Sequence, residues 1–209
     1  MLSFFKKDKG KTTKGRGISY YDRENMVHKL SDLVTILNPE TKQIFTSPEI
    51  IKYSGIPLSE ITESGIIKLY DEPAFVIEKF EIIEDYKVMF YRHPVAKFTF
   101  LMQFHFYKGS FFFLSNMVTA TGLLMDSDKK TIIGRISNKY FPDLQLDSAK
   151  GFEIKLNDNV NNFISVFDGV NFRVNYINNS PRNIQILNNS DLSDGPSTEN
   201  FDSTIDDYF

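Results

Sequence analysis

Residues 98–121 read FTFLMQFHFYKGSFFFLSNMVTAT and decide the fold of this chain. Large apolar side chains recur at every second position from residue 98 to residue 106, which is the period of a β-strand. They are Phe98, Phe100, Met102, Phe104 and Phe106. The dipeptide Lys108-Gly109 predicts a tight turn into a second strand over residues 110–121. We therefore expect a β-hairpin whose Phe-rich face lies in the core, with His105 on the opposite face at a solvated or rim position.

Segments rich in β-branched and aromatic residues predict further strands on both sides of this hairpin. They are residues 66–70, 75–83, 87–91, 131–136, 152–156, 163–167, 172–177 and 184–187. Helical spacing of apolar residues predicts a helix over residues 22–37, and prolines open two short helical patterns at residues 47–55 and 57–64. The expected fold is α+β or mostly β, with short N-terminal helices packed on an antiparallel sheet, a sandwich or a small barrel such as an OB-like one.

The composition excludes several classes of function. The chain has 209 residues, no cysteine and three scattered histidines, so we predict no disulfide, no thiol nucleophile, no metal site and no cofactor. It has no phosphate-binding Gly-rich loop, no Gly-x-Ser-x-Gly elbow and no His-Glu-x-x-His motif, so we expect no enzyme. It has no secretory signal and no predicted transmembrane helix, so we expect a cytoplasmic protein without a membrane partner.

The formal charge of −3 is distributed unevenly and divides the chain into three parts. Residues 1–16 carry +5, residues 191–209 carry −6, and the rest carries −2. We predict a basic flexible arm over residues 1–17, a single globular domain over residues 18–188 and an acidic flexible docking tail over residues 189–209. A slightly acidic domain argues against a broad grip on nucleic acid, unless its basic residues are gathered on one face.

Aromatic residues beside lysine and arginine are the signature of single-strand binding, because bases stack on the rings while the cations meet the phosphates. The candidate nucleic-acid-binding residues are Tyr91, Arg92, Lys97, Tyr107 and Lys108 in the sheet, and Lys6, Lys7, Lys11 and Arg16 in the basic arm. The Phe-rich face of residues 98–106 is more simply explained as core.

The end of the chain has the layout of a docking peptide. Ile205, Tyr208 and Phe209 fall at i, i+3 and i+4 and would share one face of a helical turn. Asp206 and Asp207 fall on the other side, and residues 191–209 contain no basic residue. An apolar tip of this kind can enter a partner's pocket while the acids steer the approach. The alternative is a solvating tail whose aromatic side chains fold back on their own domain.

These residues resemble two families of replication peptides. The sliding-clamp binding peptide has a glutamine, two variable residues, an aliphatic residue, two variable residues and two aromatics, and Ile205, Tyr208 and Phe209 match it. Asp202 stands where that family has glutamine. Residues 191–209 also resemble the acidic tail of single-stranded DNA-binding proteins, with Tyr208 in place of its proline. That resemblance implies a tail that recruits a partner protein and competes with nucleic acid for a basic groove.

Two functions of different classes follow. The first is a non-enzymatic accessory protein of DNA replication or transcription, which binds single-stranded nucleic acid and recruits a replication or transcription protein through its tail. The alternative is a protein–protein interaction module, such as an adaptor, an inhibitor or an immunity-type protein, that binds no nucleic acid.

Overall fold

An eight-stranded sheet runs through the computed structural model, which describes residues 27, 29–41, 43–78, 83–142 and 151–190. The strands of the chain are β1 (Ile44–Thr46), β2 (Lys52–Tyr53), β3 (Ile56–Pro57), β4 (Phe75–Glu78), β5 (Tyr86–Val95), β6 (Phe98–Tyr107), β7 (Ser110–Ala120), β8 (Ile154–Asn157), β9 (Phe163–Asp168) and β10 (Phe172–Ile177). The helices are α1 (Leu30–Leu37), α2 (Glu63–Tyr70), α3 (Asp126–Tyr140) and α4 (Pro181–Asn188), with a 3₁₀ turn at Leu58–Glu60.

The order of strands in the large sheet is β1-β8-β9-β10-β7-β6-β5-β4, and β2 pairs only with β3 in a separate small hairpin. All neighbours in the large sheet are antiparallel except β1 and β8, which are parallel. The edge strands β1 and β4 do not pair with each other in the described part of the chain, so the sheet is open. The predicted α+β fold with an antiparallel sheet is confirmed, and the barrel alternatives, including the OB-like one, are wrong.

The central hairpin of β6 and β7 forms as its sequence predicts. Lys108 and Gly109 have φ angles of 48° and 69°. Positive φ at both central residues is what a type I′ turn needs, because its twist matches that of the flanking strands. The register shifts between His105 and Phe106, where a bulge accommodates one extra residue of β7.

Helices cover both sides of the sheet. On face A, α2, α3 and the β2–β3 hairpin pack on the predicted Phe-rich side of β6, where Met102, Phe104 and Phe106 are buried and Phe98 and Phe100 are half-buried. On face B, α1 and α4 pack on a second cluster that includes Tyr107, Phe112 and Phe113. Both faces of the sheet therefore bury apolar surface.

Three predicted strands are helices. Residues 66–70 lie in α2, residues 131–136 lie in α3, and residues 184–187 lie in α4. A short apolar run fits either period, so its flanking residues decide. The Thr62 hydroxyl caps α2 by accepting a hydrogen bond from the Gly65 amide at 3.1 Å, Pro181 opens α4, and the Asp128 carboxylate accepts from the Met125 amide at 3.2 Å to cap α3.

The N-terminal helices are shorter than predicted. The helix predicted at residues 47–55 is wrong, because Ser54 and Gly55, with φ angles of 48° and 85°, turn the chain between β2 and β3. The pattern of residues 57–64 yields only the 3₁₀ turn before α2 begins. In the segment predicted as the first helix, α1 begins at Leu30, and residues 22–26 lie outside the described ranges. Within the described ranges, no helix has the length and apolar character needed to cross a membrane.

Candidate nucleic-acid interface

Among the described residues, the apolar cluster beneath α1 and α4 occupies one half of face B. Their cluster includes Val88, Phe113, Phe163 and Ile177, which lie toward the turn between β6 and β7. Two rows of cross-strand neighbours continue the same face away from these helices. One row is Arg92, Leu101, Met117, Arg173 and Phe167, and the other is Gln103, Ser115, Asn175, Ser165 and Lys155. We call these ten residues the cationic half-face.

The charges of the cationic half-face are all positive. Arg92, Lys155 and Arg173 lie on it, and none of its ten residues is Asp or Glu. Arg92 is exposed, and the other two side chains are half-buried. Arg92 and Arg173 are three strand spacings apart, which is about 14 Å, and Lys155 lies two strands further. A domain with a net charge of −2 can therefore present a cationic surface, because these cations share one face.

An aromatic ring lies among the cations. Phe167 is 42% exposed, and the guanidinium carbon of its cross-strand partner Arg173 lies 4.6 Å from the ring centroid. A methyl group built on Gly169 would lie 2.5 Å from the Phe167 ring, so only glycine lets the ring rest against the backbone of this turn. The ring thus contacts both Arg173 and this turn, and 42% of the side chain stays exposed.

Lys155 is a second cation beside a ring. Its Nζ lies 4.1 Å from the centroid of Phe163, in a cation–π contact. Burial lowers the pKa of Lys155, because the ammonium group loses part of its hydration. Lys155 is therefore a partly desolvated cation in contact with a ring.

The second row adds neutral hydrogen-bonding groups. Gln103, Ser115 and Ser165 are buried between the cations, and Asn175 is half-buried. The Oδ1 atom of Asn175 is buried and accepts no hydrogen bond from the described part of the chain. Amides and hydroxyls can hydrogen-bond to bases or sugars and add no charge. The half-face therefore combines cations, a ring and neutral polar groups.

The residues that the sequence predicted for nucleic-acid binding do not form one surface. Tyr91 is buried on face A, where its hydroxyl donates to the Asp71 carbonyl at 3.2 Å and burial raises its pKa to about 12. Tyr107 is buried on face B beneath α4, with its hydroxyl 3.0 Å from that of Ser190. Only Arg92 belongs to the cationic half-face.

The two predicted lysines of the sheet lie at opposite ends of β6. Lys97, in the turn before β6, pairs with the Asp128 carboxylate at 2.5 Å, and Lys108, in the turn after it, donates to the Ser190 hydroxyl at 3.2 Å. A ten-residue strand separates these turns by roughly 30 Å. Each lysine already has a partner in the fold, and one base or phosphate cannot contact both.

The terminal candidates lie outside the described residues. They are Lys6, Lys7, Lys11 and Arg16 in the arm, and Ile205, Asp206, Asp207, Tyr208 and Phe209 in the tail. Their roles in binding nucleic acid and in docking a partner stay predictions.

Sequence reasoning missed Lys155, Phe167 and Arg173. The strands at residues 163–167 and 172–177 and the turn between them were predicted, and a tight hairpin there places residue 167 opposite residue 173. The sequence therefore contained a signal that Phe167 and Arg173 are cross-strand neighbours. The neighbourhood of Arg92 was not predictable in the same way, since it requires β10 to lie next to β7, and more than fifty residues separate these strands along the chain.

The described ranges contain no group of three His, Cys, Asp or Glu side chains that could hold a metal ion. Comparisons with protein-family models, with curated proteins and with solved structures found no match to this chain.

Proposed function

We propose that this protein is a non-enzymatic accessory protein of DNA replication or transcription that holds single-stranded nucleic acid on the cationic half-face. The observation that carries the proposal is the combination of three cations with a 42% exposed phenylalanine among ten neighbouring residues of one face, none of which is Asp or Glu. Proteins that bind single strands without sequence preference use this combination, because cations follow the phosphates and every base has a face that stacks.

Each part of the half-face has a role in this proposal. Arg92, Arg173 and Lys155 neutralise separate phosphates along the bound strand, and a base stacks on the exposed side of Phe167. Asn175, which is half-buried and has an Oδ1 without a partner among the described residues, contacts a base or sugar without the bidentate pairs that read sequence in duplex DNA. We therefore expect weak sequence preference and strong salt dependence.

The two ends of the chain would complete the function. The six cations of the arm would add phosphate contacts. The acidic tail would recruit a replication or transcription protein through Ile205, Tyr208 and Phe209, and would compete with nucleic acid for the cations. Support for these two roles comes from charge, spacing and the resemblance of residues 191–209.

Replacing the stacking ring should weaken binding selectively. We expect Phe167→Leu to lower the affinity of the full chain for oligo-dT by about 5- to 150-fold, because one stacked base contributes about 1 to 3 kcal/mol. Leucine keeps an apolar side chain against Gly169. The measurement is fluorescence anisotropy with a labelled oligo-dT at low salt.

The matched control is Phe75→Leu. Phe75 is 47% exposed and packs against Phe90 on face B, but it lies on the edge strand β4, outside the cationic half-face. This variant should bind as the wild type does. Equal losses in the two variants, or wild-type affinity in Phe167→Leu, would show that no base stacks on Phe167.

The competing function is a protein–protein interaction module without nucleic acid. It is favoured by the acidic domain and by the exposed side chains of Leu123, Met125 and Val170, two of which precede α3 and one of which lies in the turn between β9 and β10. If the full chain does not bind oligo-dT even at low salt, this function replaces the first.

A further inference from the structure

A cavity of about 430 Å³ lies on face A between α3 and the ends of β5, β6, β7 and β10. Its walls are mainly apolar, and they include Phe98, Phe100, Val118, Val174, Ile132 and Ile136. The side chains of the sheet form the floor, and one side of α3 forms the roof. Packed interiors have few voids larger than a water molecule, and apolar pockets of 300 to 1,000 Å³ are typical of small-molecule sites.

Two polar groups from the sheet line this cavity. Asn116, on β7, is 9% exposed, and its Oδ1 accepts no hydrogen bond from any described residue. Tyr176, on β10, contacts the Tyr53 ring at a centroid distance of 5.3 Å, and no described residue hydrogen-bonds to its hydroxyl. Burial raises the pKa of Tyr176, so its hydroxyl is a neutral donor. A buried polar group without a partner costs free energy unless a ligand or a water satisfies it.

A cation contributes to the rim of the cavity. Arg135 projects from α3, is exposed, and forms no ion pair with the rest of the described chain. The other cations of α3 differ, because Lys129 binds Asp168 at 2.8 Å, and Lys130 and Lys139 do not line the cavity. An unpaired guanidinium at the edge of an apolar pocket matches a ligand with an apolar body and an anionic end.

We propose that this cavity binds a small amphiphilic monocarboxylate. Its hydrocarbon or aromatic body packs between α3 and the sheet, its carboxylate accepts hydrogen bonds from Arg135, and Asn116 and Tyr176 orient a polar group of the ligand. The site lies on face A, so it is independent of the nucleic-acid function proposed for face B.

The test is calorimetric titration of the full chain with octanoate, 1-octanol and octylammonium. These probes share one apolar body and differ in the charge of the head group. We expect octanoate to bind most tightly and octylammonium least. Arg135→Gln should weaken octanoate binding about tenfold and leave 1-octanol binding unchanged, because it removes a charge-assisted hydrogen bond and keeps the apolar walls. Arg182→Gln, at an exposed arginine of α4, is the matched control and should behave as the wild type.

A second variant tests the place of binding. Val174→Phe fills the floor of the cavity and should abolish binding of both octanoate and 1-octanol, while oligo-dT affinity stays unchanged. If this variant does not fold, the test depends on whether Arg135→Gln weakens the binding of octanoate and leaves that of 1-octanol unchanged. The same titration on a full chain with Ile205→Ser, Tyr208→Ser and Phe209→Ser tests whether residues 205–209 occupy the cavity and block the probes. The proposal is overturned if neither the wild-type chain nor the chain with the three serine substitutions binds octanoate at millimolar concentration. It is also overturned if Arg135→Gln still prefers octanoate over 1-octanol as the wild type does.

Discussion

Replacing Arg92, Lys155 and Arg173 together by glutamine is expected to lower the affinity for oligo-dT about 100-fold or more at low salt. Each phosphate contact releases a counterion, and for single strands each contributes about 0.7 to the slope of log affinity against log salt. The loss of three contacts should therefore reduce that slope by about 2. The measurement is oligo-dT binding by the full chain across a salt series.

The matched control removes three cations from the other side of the sheet. Lys52, Lys68 and Lys130 are exposed and lie on β2, α2 and α3, so their replacement by glutamine changes the net charge equally. This control should lose much less affinity and keep most of the slope. If the two triple variants lose affinity and slope equally, net charge alone accounts for binding and the cationic half-face has no special role.

Acid is expected to destabilise the domain through His105. This side chain is 0% exposed, its ring stacks on Phe113 with centroids 3.9 Å apart, and its Nδ1 lies 3.0 Å from the Tyr86 hydroxyl. Burial lowers the pKa of His105 to about 3. In the unfolded chain a histidine has a pKa of about 6.5, so below that pH only the unfolded state binds the proton.

The sign and size of the effect follow from this difference. The stability contributed by neutral His105 is complete above about pH 6.5 and is lost progressively as the pH falls toward 3. Between about pH 7.5 and pH 4.5 the free energy of unfolding should fall by roughly 2 to 3 kcal/mol through this residue alone.

Urea unfolding of the wild type and His105→Phe at these two pH values measures the effect. The variant keeps a ring against Phe113 and cannot be protonated, so its free energy of unfolding should fall by roughly 2 to 3 kcal/mol less than that of the wild type. His93→Phe, at an exposed histidine, is the control and should keep the wild-type dependence. Parallel pH dependences in wild type and His105→Phe would contradict the burial of a neutral imidazole.

The burial of His105 also shows a limit of prediction from strand periodicity. Alternation along β6 correctly places His105 opposite the Phe-rich face, but the predicted solvated or rim position is wrong. Helices α1 and α4 pack over that part of face B, and their positions depend on contacts with residues far away in the chain. Period 2 identifies the two faces of a strand and does not reveal which of them is covered.

The same physical limit explains the errors elsewhere in the fold. The hairpin of β6 and β7 was predictable because its period, its length and its Lys-Gly turn agree. Residues 131–136 belong to α3 because the cap at Asp128 and the flanking polar residues extend the helix to fifteen residues, and the apolar run alone did not show this.

The candidate interface was only partly predictable. Arg92 follows the strand predicted at residues 87–91 and is exposed on β5, whereas Tyr91, its neighbour in sequence, faces the core, because adjacent residues of a strand point to opposite faces. Arg173 and Phe167 complete the surface only because β10 pairs with β7, and sequence periodicity does not specify the order of strands.

The central claim is that the cationic half-face holds single-stranded nucleic acid. The most direct test is photocross-linking of the full chain to an oligo-dT that carries iododeoxyuridine, followed by tryptic digestion and mass spectrometry. We predict that the main cross-link within residues 27–190 maps to the tryptic peptide of residues 156–173, at Phe167. Cross-links confined to α2, α3 or other residues of face A, with none in that peptide, would contradict the claim.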